Sequence, residues 1–152
     1  MRKPLAVTLL FAVLLLGGAA QAQSPVNMLT ELGMLGRWAA DCSQPAGDRN
    51  PHVVFERSNN ASGAQYRVTF DGGQSTTRSV DNVRALGEGK IAMRFTTLTG
   101  DTTGLAFDIT TLKEPTRWKT FASKGSDGKV YIDNGIVIET GARNPWQNKC
   151  GD

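Results

Sequence analysis

Apolar and polar side chains alternate along most of the chain after Gly36. The clearest run covers residues 65–70, where Tyr66, Val68 and Phe70 fall on one face and polar residues on the other. A period of two is typical of a strand that buries one face. The pattern predicts about eight strands, at residues 37–41, 51–57, 65–70, 75–86, 90–98, 105–112, 116–124 and 129–140. Asn134-Gly135 is a hairpin signal that would divide the last strand in two.

Short segments with turn chemistry separate these runs. Gly, Asn, Asp and Pro dominate the breaks, as in Asp71-Gly72-Gly73. Connections this short leave no room for crossover helices, so neighbouring strands must be antiparallel. The sequence therefore predicts an all-β fold, a small antiparallel up-and-down β-barrel of about eight strands. Closing the sheet into a barrel removes the open edges that a Thr-rich sheet would otherwise expose.

One helical pattern precedes the strands. Val26, Leu29, Leu32 and Leu35 recur every three residues, and Pro25 suits a first helical turn. This pattern predicts a short N-terminal helix that closes one end of the barrel. Residues 141–152 carry no periodic pattern and are predicted to be coil, with Trp146 over a barrel end.

Residues 1–22 have the layout of a secretory signal peptide. Arg2 and Lys3 precede an apolar stretch over 5–16, and Ala20-Gln21-Ala22 provides small residues at a cleavage site. The apolar stretch is shorter than the roughly 20 residues that a membrane span requires. We therefore expect cleavage after Ala22, a single β-barrel domain over 23–152, no membrane span, and a periplasmic or secreted location.

The net charge of +3 does not indicate a nucleic-acid partner. Arg2 and Lys3 belong to the predicted signal peptide, and 14 acidic residues nearly balance the basic residues that remain. A nucleic-acid binder normally carries a clustered basic face, whereas Arg and Lys are spread singly along this chain. We expect no nucleic-acid partner and a monomeric protein.

The chain has two cysteines, Cys42 and Cys150. In an oxidising compartment a lone pair of cysteines usually forms a disulfide. The alternatives are two free thiols or a metal site, and a zinc site is disfavoured because a single histidine adds too few ligands. A Cys42–Cys150 bond would close a loop of roughly 100 residues and tie the tail to the first strand.

Gly36 and Trp38 form a Gly-x-Trp motif between the predicted helix and the first strand. Ahead of a strand meander in an exported chain, this motif resembles the lipocalin and calycin pattern. The chain is similar to small exported bacterial barrels, which include barrel-shaped lysozyme inhibitors. The resemblance implies a structural role for Trp38, packed across the closed end of the barrel, and implies no particular ligand.

The predicted strand at 75–86 is polar and carries two cations. Val80 and Val83 are three residues apart, so strict alternation would place them on opposite faces of the strand. Burying both therefore requires a bulge, and otherwise the strand changes the face that it buries. Arg78 and Arg84 are expected on one side of this strand. That side is either a solvated rim or a polar wall suited to an anionic small molecule or an acidic partner surface.

Trp118 lies between Arg117 and Lys119 and, in strict alternation, faces away from Phe121. It is either a core residue on a distorted strand or an exposed contact residue between two cations. Arg78, Arg84 and Trp118 are accordingly the candidate ligand-binding residues of the chain.

No residue pattern predicts catalysis. His52 is the only histidine, and no nucleophile–base pair or phosphate loop is present. Neither Asp71-Gly72-Gly73 nor Asp127-Gly128 continues with the alternating acidic ligands of a calcium loop. We therefore predict a protein that is not an enzyme and that holds no cofactor and no metal.

Two binding functions remain open. In the first, the barrel holds a small or amphiphilic ligand. In the second, the chain is a protein-binding module, such as a periplasmic inhibitor of a cell-wall hydrolase or protease, acting through a protruding loop at 43–51 or 58–63. An interior cavity above about 300 Å³ would favour the first function, and a filled barrel would favour the second.

Overall fold

The structure, a computed structural model, describes residues 23–60 and 62–151. The predicted signal peptide and its cleavage site lie outside the described residues. Helix α1 (Pro25–Glu31) precedes the strands of this part of the chain. These strands are β1 (Gly36–Ala39), β2 (His52–Arg57), β3 (Ala64–Thr69), β4 (Ser75–Gly87), β5 (Lys90–Thr97), β6 (Ala106–Glu114), β7 (Arg117–Gly125), β8 (Val130–Asp133), β9 (Ile136–Val137) and β10 (Gln147–Gly151).

The sheet closes into a barrel of eight antiparallel strands. Strands β1 to β7 pair in chain order, and β10 pairs with both β1 and β7, which completes the ring. The short β8–β9 hairpin continues from the other end of β7 and lies outside the ring. The predicted all-β barrel with one short helix is confirmed, and the turn at Asn134-Gly135 divides the last predicted strand as expected.

The prediction of coil for the whole tail is wrong. Residues Gln147–Gly151 form β10, the strand that closes the barrel. This strand has no alternating apolar pattern, because only Gln147 is buried. Its backbone is held instead by pairing with β1 and β7 and by the Cys42–Cys150 disulfide, whose Cα atoms are 5.3 Å apart.

Helix α1 is short because its capping residues are close together. Ser24 caps its first turn by accepting a hydrogen bond from the Asn27 N–H, and Pro25 occupies the first helical position. Gly33 then takes a φ of 63°, a conformation that favours glycine and ends the helix. Val26 and Leu29 are buried, so the helix packs its apolar face against the barrel core.

Aromatic side chains fill the barrel interior. The ring of Tyr66 stacks on that of Phe95 with centroids 4.8 Å apart, and Phe55 lies 5.0 Å from Tyr66 and 5.5 Å from Trp118. Such offset and tilted pairs add to the stability gained from burying apolar area. The core is one continuous cluster that includes residues of α1.

Two β-bulges explain the positions where strict alternation fails. The pairing of β4 with β5 shifts between Val80 and Asn82, so Val80 and Val83 both face the core. In the pairing of β6 with β7, Phe121 of β7 has no partner on β6. This extra residue allows Trp118 and Ser123 both to face inward. Of the two alternatives predicted for the polar strand, a bulge or a change of face, the structure shows a bulge.

Candidate functional site

Arg78 faces the interior of the barrel. On β4 it lies opposite Tyr66 of β3 and opposite Thr97 of β5. Directly opposed residues of antiparallel strands point to the same side of the sheet, and both Tyr66 and Thr97 are buried. The strand therefore places a guanidinium group on the inner face of the barrel, beside buried and aromatic residues.

Two aromatic rings flank the Arg78 guanidinium. Its Cζ atom lies 4.7 Å from the ring centroid of Phe107 and 5.8 Å from that of Tyr66. A cation over an aromatic face is stabilised by about 0.5–2 kcal/mol, and by more where water is excluded. This contact holds the side chain in place and leaves its charge formally unpaired.

Arg78 has no carboxylate partner among residues 23–60 and 62–151. The three ion pairs found there use Arg67, Arg94 and Arg117, all with partly exposed side chains. The Nε atom of Arg78 is buried and has no hydrogen-bond partner in the same part of the chain. A buried donor without an acceptor costs about 1–3 kcal/mol, and more for a charged group. The unpartnered Nε is therefore a local cost to stability, which the contacts with the two rings partly offset.

The Tyr66 phenol reports on this environment. Burial raises the pKa of Tyr66 above its ordinary value of 10.0, and the positive charge of Arg78 partly offsets that rise. Any change that removes or neutralises the Arg78 charge should thus raise the pKa of Tyr66 further.

We expect fewer than half of the tyrosines of the folded protein to be ionised at the ordinary tyrosine pKa of 10.0. The chain has two tyrosines, and burial raises the pKa of both; a hydrogen bond to Asp127 also raises that of Tyr131. Because the unfolded chain releases these protons first, stability should fall as the pH rises above 10.0. Ultraviolet difference absorbance would measure this, and ionisation of half or more of the tyrosines at pH 10.0 with the fold intact would contradict it.

The barrel mouth, defined as the end formed by the turns at 70–74 and 98–105, is closed by side chains. Phe70, Leu105 and Tyr131 pack partly buried against the core, and the Phe107 and Tyr131 rings lie 5.3 Å apart. The loop at 98–105 is held by two backbone hydrogen bonds: the Thr97 N–H donates to the Leu105 carbonyl at 2.9 Å, and the Gly104 N–H donates to the Thr97 carbonyl at 2.8 Å.

Arg84 lies on the opposite face of β4 from Arg78, so the expectation that both lie on one side of the strand is wrong. Asp81, which lies between them, is an extra residue without a partner on β5. It exchanges the inward-facing and outward-facing positions of the strand beyond it. Arg84 is exposed and faces outward, where it lines an open groove of about 350 Å³ with Arg94 and Asp108. Those two residues form the cross-strand ion pair expected for a solvated face.

Trp118 is a core residue on a distorted strand, the first of its two predicted placements. It is 3% exposed, and its Nε1 atom is buried without a hydrogen-bond partner in the described chain.

Arg117 and Lys119 point outward and instead flank Trp146, with the Arg117 Cζ at 4.5 Å and the Lys119 Nζ at 4.9 Å from the Trp146 ring centroid. Sequence reasoning missed this contact, since no local pattern places a tail residue against β7.

The two cysteines form the expected disulfide, and Trp38 is a core residue. Trp38 is fully buried, and its indole N–H donates to the Met34 carbonyl at 2.9 Å. The Lys113 and Lys149 ammonium groups lie 5.6 and 5.9 Å from its ring centroid. Burial and the nearby Lys149 charge lower the pKa of Lys113.

The loop at 40–51, between β1 and β2, is held in one conformation. The Asn50 side chain accepts a hydrogen bond from the Asp41 N–H and donates to the Asp41 and Pro45 carbonyls. The Ser43 N–H and hydroxyl both donate to the Asp41 carboxylate and lower its pKa. The disulfide at Cys42 fixes one end of the loop, and most of its residues are exposed.

No family model matches the chain, and neither curated proteins nor solved structures show significant similarity to it. Within residues 23–60 and 62–151, no three His, Cys, Asp or Glu side chains come close enough together to hold a metal ion. The helix in that part of the chain is too short to traverse a bilayer.

Proposed function

We propose that this protein is an exported binding protein of the lipocalin-like type, located in the periplasm or secreted, and that it carries out no catalysis. Its ligand is a small amphiphilic anion whose carboxylate or phosphate group pairs with Arg78 at the barrel mouth. The disulfide supports the extracytoplasmic location, because such bonds persist in oxidising compartments.

The unpaired charge of Arg78 is the observation that carries this proposal. A charged side chain inside a barrel without a counter-ion costs stability, and proteins retain such residues mainly where function requires them. A ligand anion would supply the missing partner and would accept charge-assisted hydrogen bonds from the guanidinium.

The filled interior excludes a ligand enclosed within the barrel, which taken alone favours the protein-binding function, and it restricts any small ligand to this end. The aromatic cluster of Phe55, Tyr66 and Phe95 occupies the space beneath Arg78. Only the anionic head would therefore enter, while the apolar part rests on the side chains of the mouth, among them Leu105 and the 45% exposed Leu98. This mode of binding differs from that of a carrier protein whose barrel encloses the entire ligand.

Replacing Arg78 with methionine should separate binding from stability. We expect Arg78→Met to weaken binding of decanoate and decyl phosphate by about 10- to 100-fold, because a hydrogen bond to a charged group contributes about 1.5–3 kcal/mol. The same variant should keep its stability or gain up to about 2 kcal/mol, since apolar replacement of a buried charge is often favourable. Isothermal titration calorimetry and denaturant unfolding would measure the two effects.

The controls for this experiment use a surface arginine and an uncharged ligand. Arg94→Met removes an exposed, paired arginine and should leave binding unchanged. Decanol, which carries no charge, should have the same affinity for wild type and for Arg78→Met. In the wild type, the bound anion should also raise the pKa of Tyr66. Equal affinity of both arginine variants for decanoate would overturn the proposal.

A protein-binding module is the second candidate, favoured by the pre-ordered loop at 40–51 and by the filled barrel. An exposed loop already held in one conformation loses little entropy when it enters a partner's cleft. The partner would be an extracytoplasmic hydrolase or protease. Inhibition of lysozyme or trypsin by the wild type, weakened in Asn50→Ala and unchanged in Arg78→Met, would support this function over the first.

A further inference from the structure

The outer wall of β7 carries a second cluster of cations around an aromatic ring. Trp146, in the segment before β10, lies against Arg117 and Lys119. A cavity of about 320 Å³ opens beside it and is lined by Lys119, Asn134, Arg143, Asn144 and Trp146, among others. We propose that this cavity, the tail pocket, binds an acidic sugar ring, with Lys119 and Arg143 holding its carboxylate and Trp146 packing against the ring.

Two of the cations that line the tail pocket form no ion pair within the described residues. Arg117 is neutralised by Glu114, which accepts hydrogen bonds from it at 2.7 and 3.2 Å. Lys119 and Arg143 have no carboxylate partner in the part of the chain that the structure describes. The Lys119 Nζ lies 3.8 Å from the position that a Cβ on Gly135 would take, which places this ammonium group at the pocket wall. Two cations without an ion-pair partner in the described chain therefore face one small cavity, although the Lys119 charge also acts on Glu114 and lowers its pKa.

The walls of the tail pocket are fixed by hydrogen bonds. The Asn144 side chain donates to the Thr120 carbonyl at 3.0 Å, and the Asn144 N–H donates to the Gly135 carbonyl at 2.8 Å. The Gly135 N–H in turn donates to the Phe121 carbonyl at 2.7 Å. These bonds join the tail and the β8–β9 turn to β7, so that the pocket is largely preformed.

Size and chemistry select the ligand class. A cavity of about 320 Å³ lies at the lower end of the range for small-molecule sites and admits one substituted six-membered ring. A half-exposed indole offers a flat apolar face to the C–H face of a sugar. The Asn134 and Asn144 amides can bond hydroxyl groups, and the two cations favour a carboxylate substituent. An uncharged sugar would leave those cations unpaired.

Trp146 provides a local signal for the test. Trp38 and Trp118 are 0% and 3% exposed, so Trp146 is the tryptophan that the neutral quencher acrylamide should reach. Glucuronate should protect the fluorescence from quenching and should shift the Trp146 indole N–H resonance in NMR spectra. We expect Lys119→Met and Arg143→Gln each to weaken glucuronate binding at least tenfold.

Matched controls distinguish this site from a surface that attracts any anion. Lys124→Met removes an exposed lysine from the same strand and should bind glucuronate like wild type. Glucose and acetate should each bind at least tenfold more weakly than glucuronate. Equal binding of acetate, equal binding of glucose, or an unaltered Trp146 resonance with glucuronate would each overturn the proposal.

Discussion

Replacing Trp38 with alanine should lower the free energy of unfolding by about 3–5 kcal/mol, the usual cost of deleting a fully buried tryptophan. The indole is 0% exposed and belongs to the same cluster as Leu29 of α1. Its removal would leave a cavity where the helix joins the barrel, and would leave the Met34 carbonyl without its indole N–H partner. Against a total of about 5–15 kcal/mol for a domain of this kind, such a loss approaches unfolding.

Two further variants divide this effect into its parts. Trp38→Phe keeps an aromatic ring but removes the N–H, and we expect a loss of about 1–3 kcal/mol from the unpaired carbonyl. Arg37→Ala changes the exposed neighbour and should shift stability by no more than about 0.5 kcal/mol. Urea denaturation followed by circular dichroism would measure all three. A Trp38→Ala variant as stable as wild type would mean that the tryptophan of the Gly-x-Trp motif does not pack across an end of the barrel.

The barrel was predictable because its strands carry local signals. Alternation in β3, β5 and β6 marks one buried face, and the turns between strands contain glycine, aspartate and asparagine. The failure of alternation between Val80 and Val83 also predicted the bulge in β4. These features act over a few residues, so sequence patterns report them directly.

The closing strand and the grouping of site residues were not predictable, because both depend on contacts between distant segments. Gln147–Gly151 becomes a strand only because β1 and β7 offer unpaired backbone groups on both sides of it. A single bulge residue, Asp81, decides that Arg78 points inward and Arg84 outward. The contact of Trp146 with β7 likewise follows from the path of the tail and from no local pattern.

Removing the disulfide should have an effect as large as that of Trp38→Ala, and at a different place. Cys42 and Cys150 are separated by 108 residues in sequence. A crosslink that closes a loop of about 100 residues stabilises the folded state by about 4.7 kcal/mol, by restricting the unfolded chain. The double variant Cys42→Ser with Cys150→Ser should therefore lose about 4–5 kcal/mol, which guanidinium denaturation would measure.

The loss should be concentrated at the seam between β1 and β7. Strand β10 has little apolar burial of its own, and beyond its backbone pairing the Asn148 side chain donates to the Ala40 carbonyl at 2.8 Å. Without the disulfide, amide hydrogens of β10 should exchange faster than those of β5, which lies between two long neighbours in the ring. Wild type treated with a reductant should match the double variant. If the double variant lost less than about 1 kcal/mol and kept β10 protected, the backbone pairing alone would close the barrel, and the disulfide would contribute little to the fold.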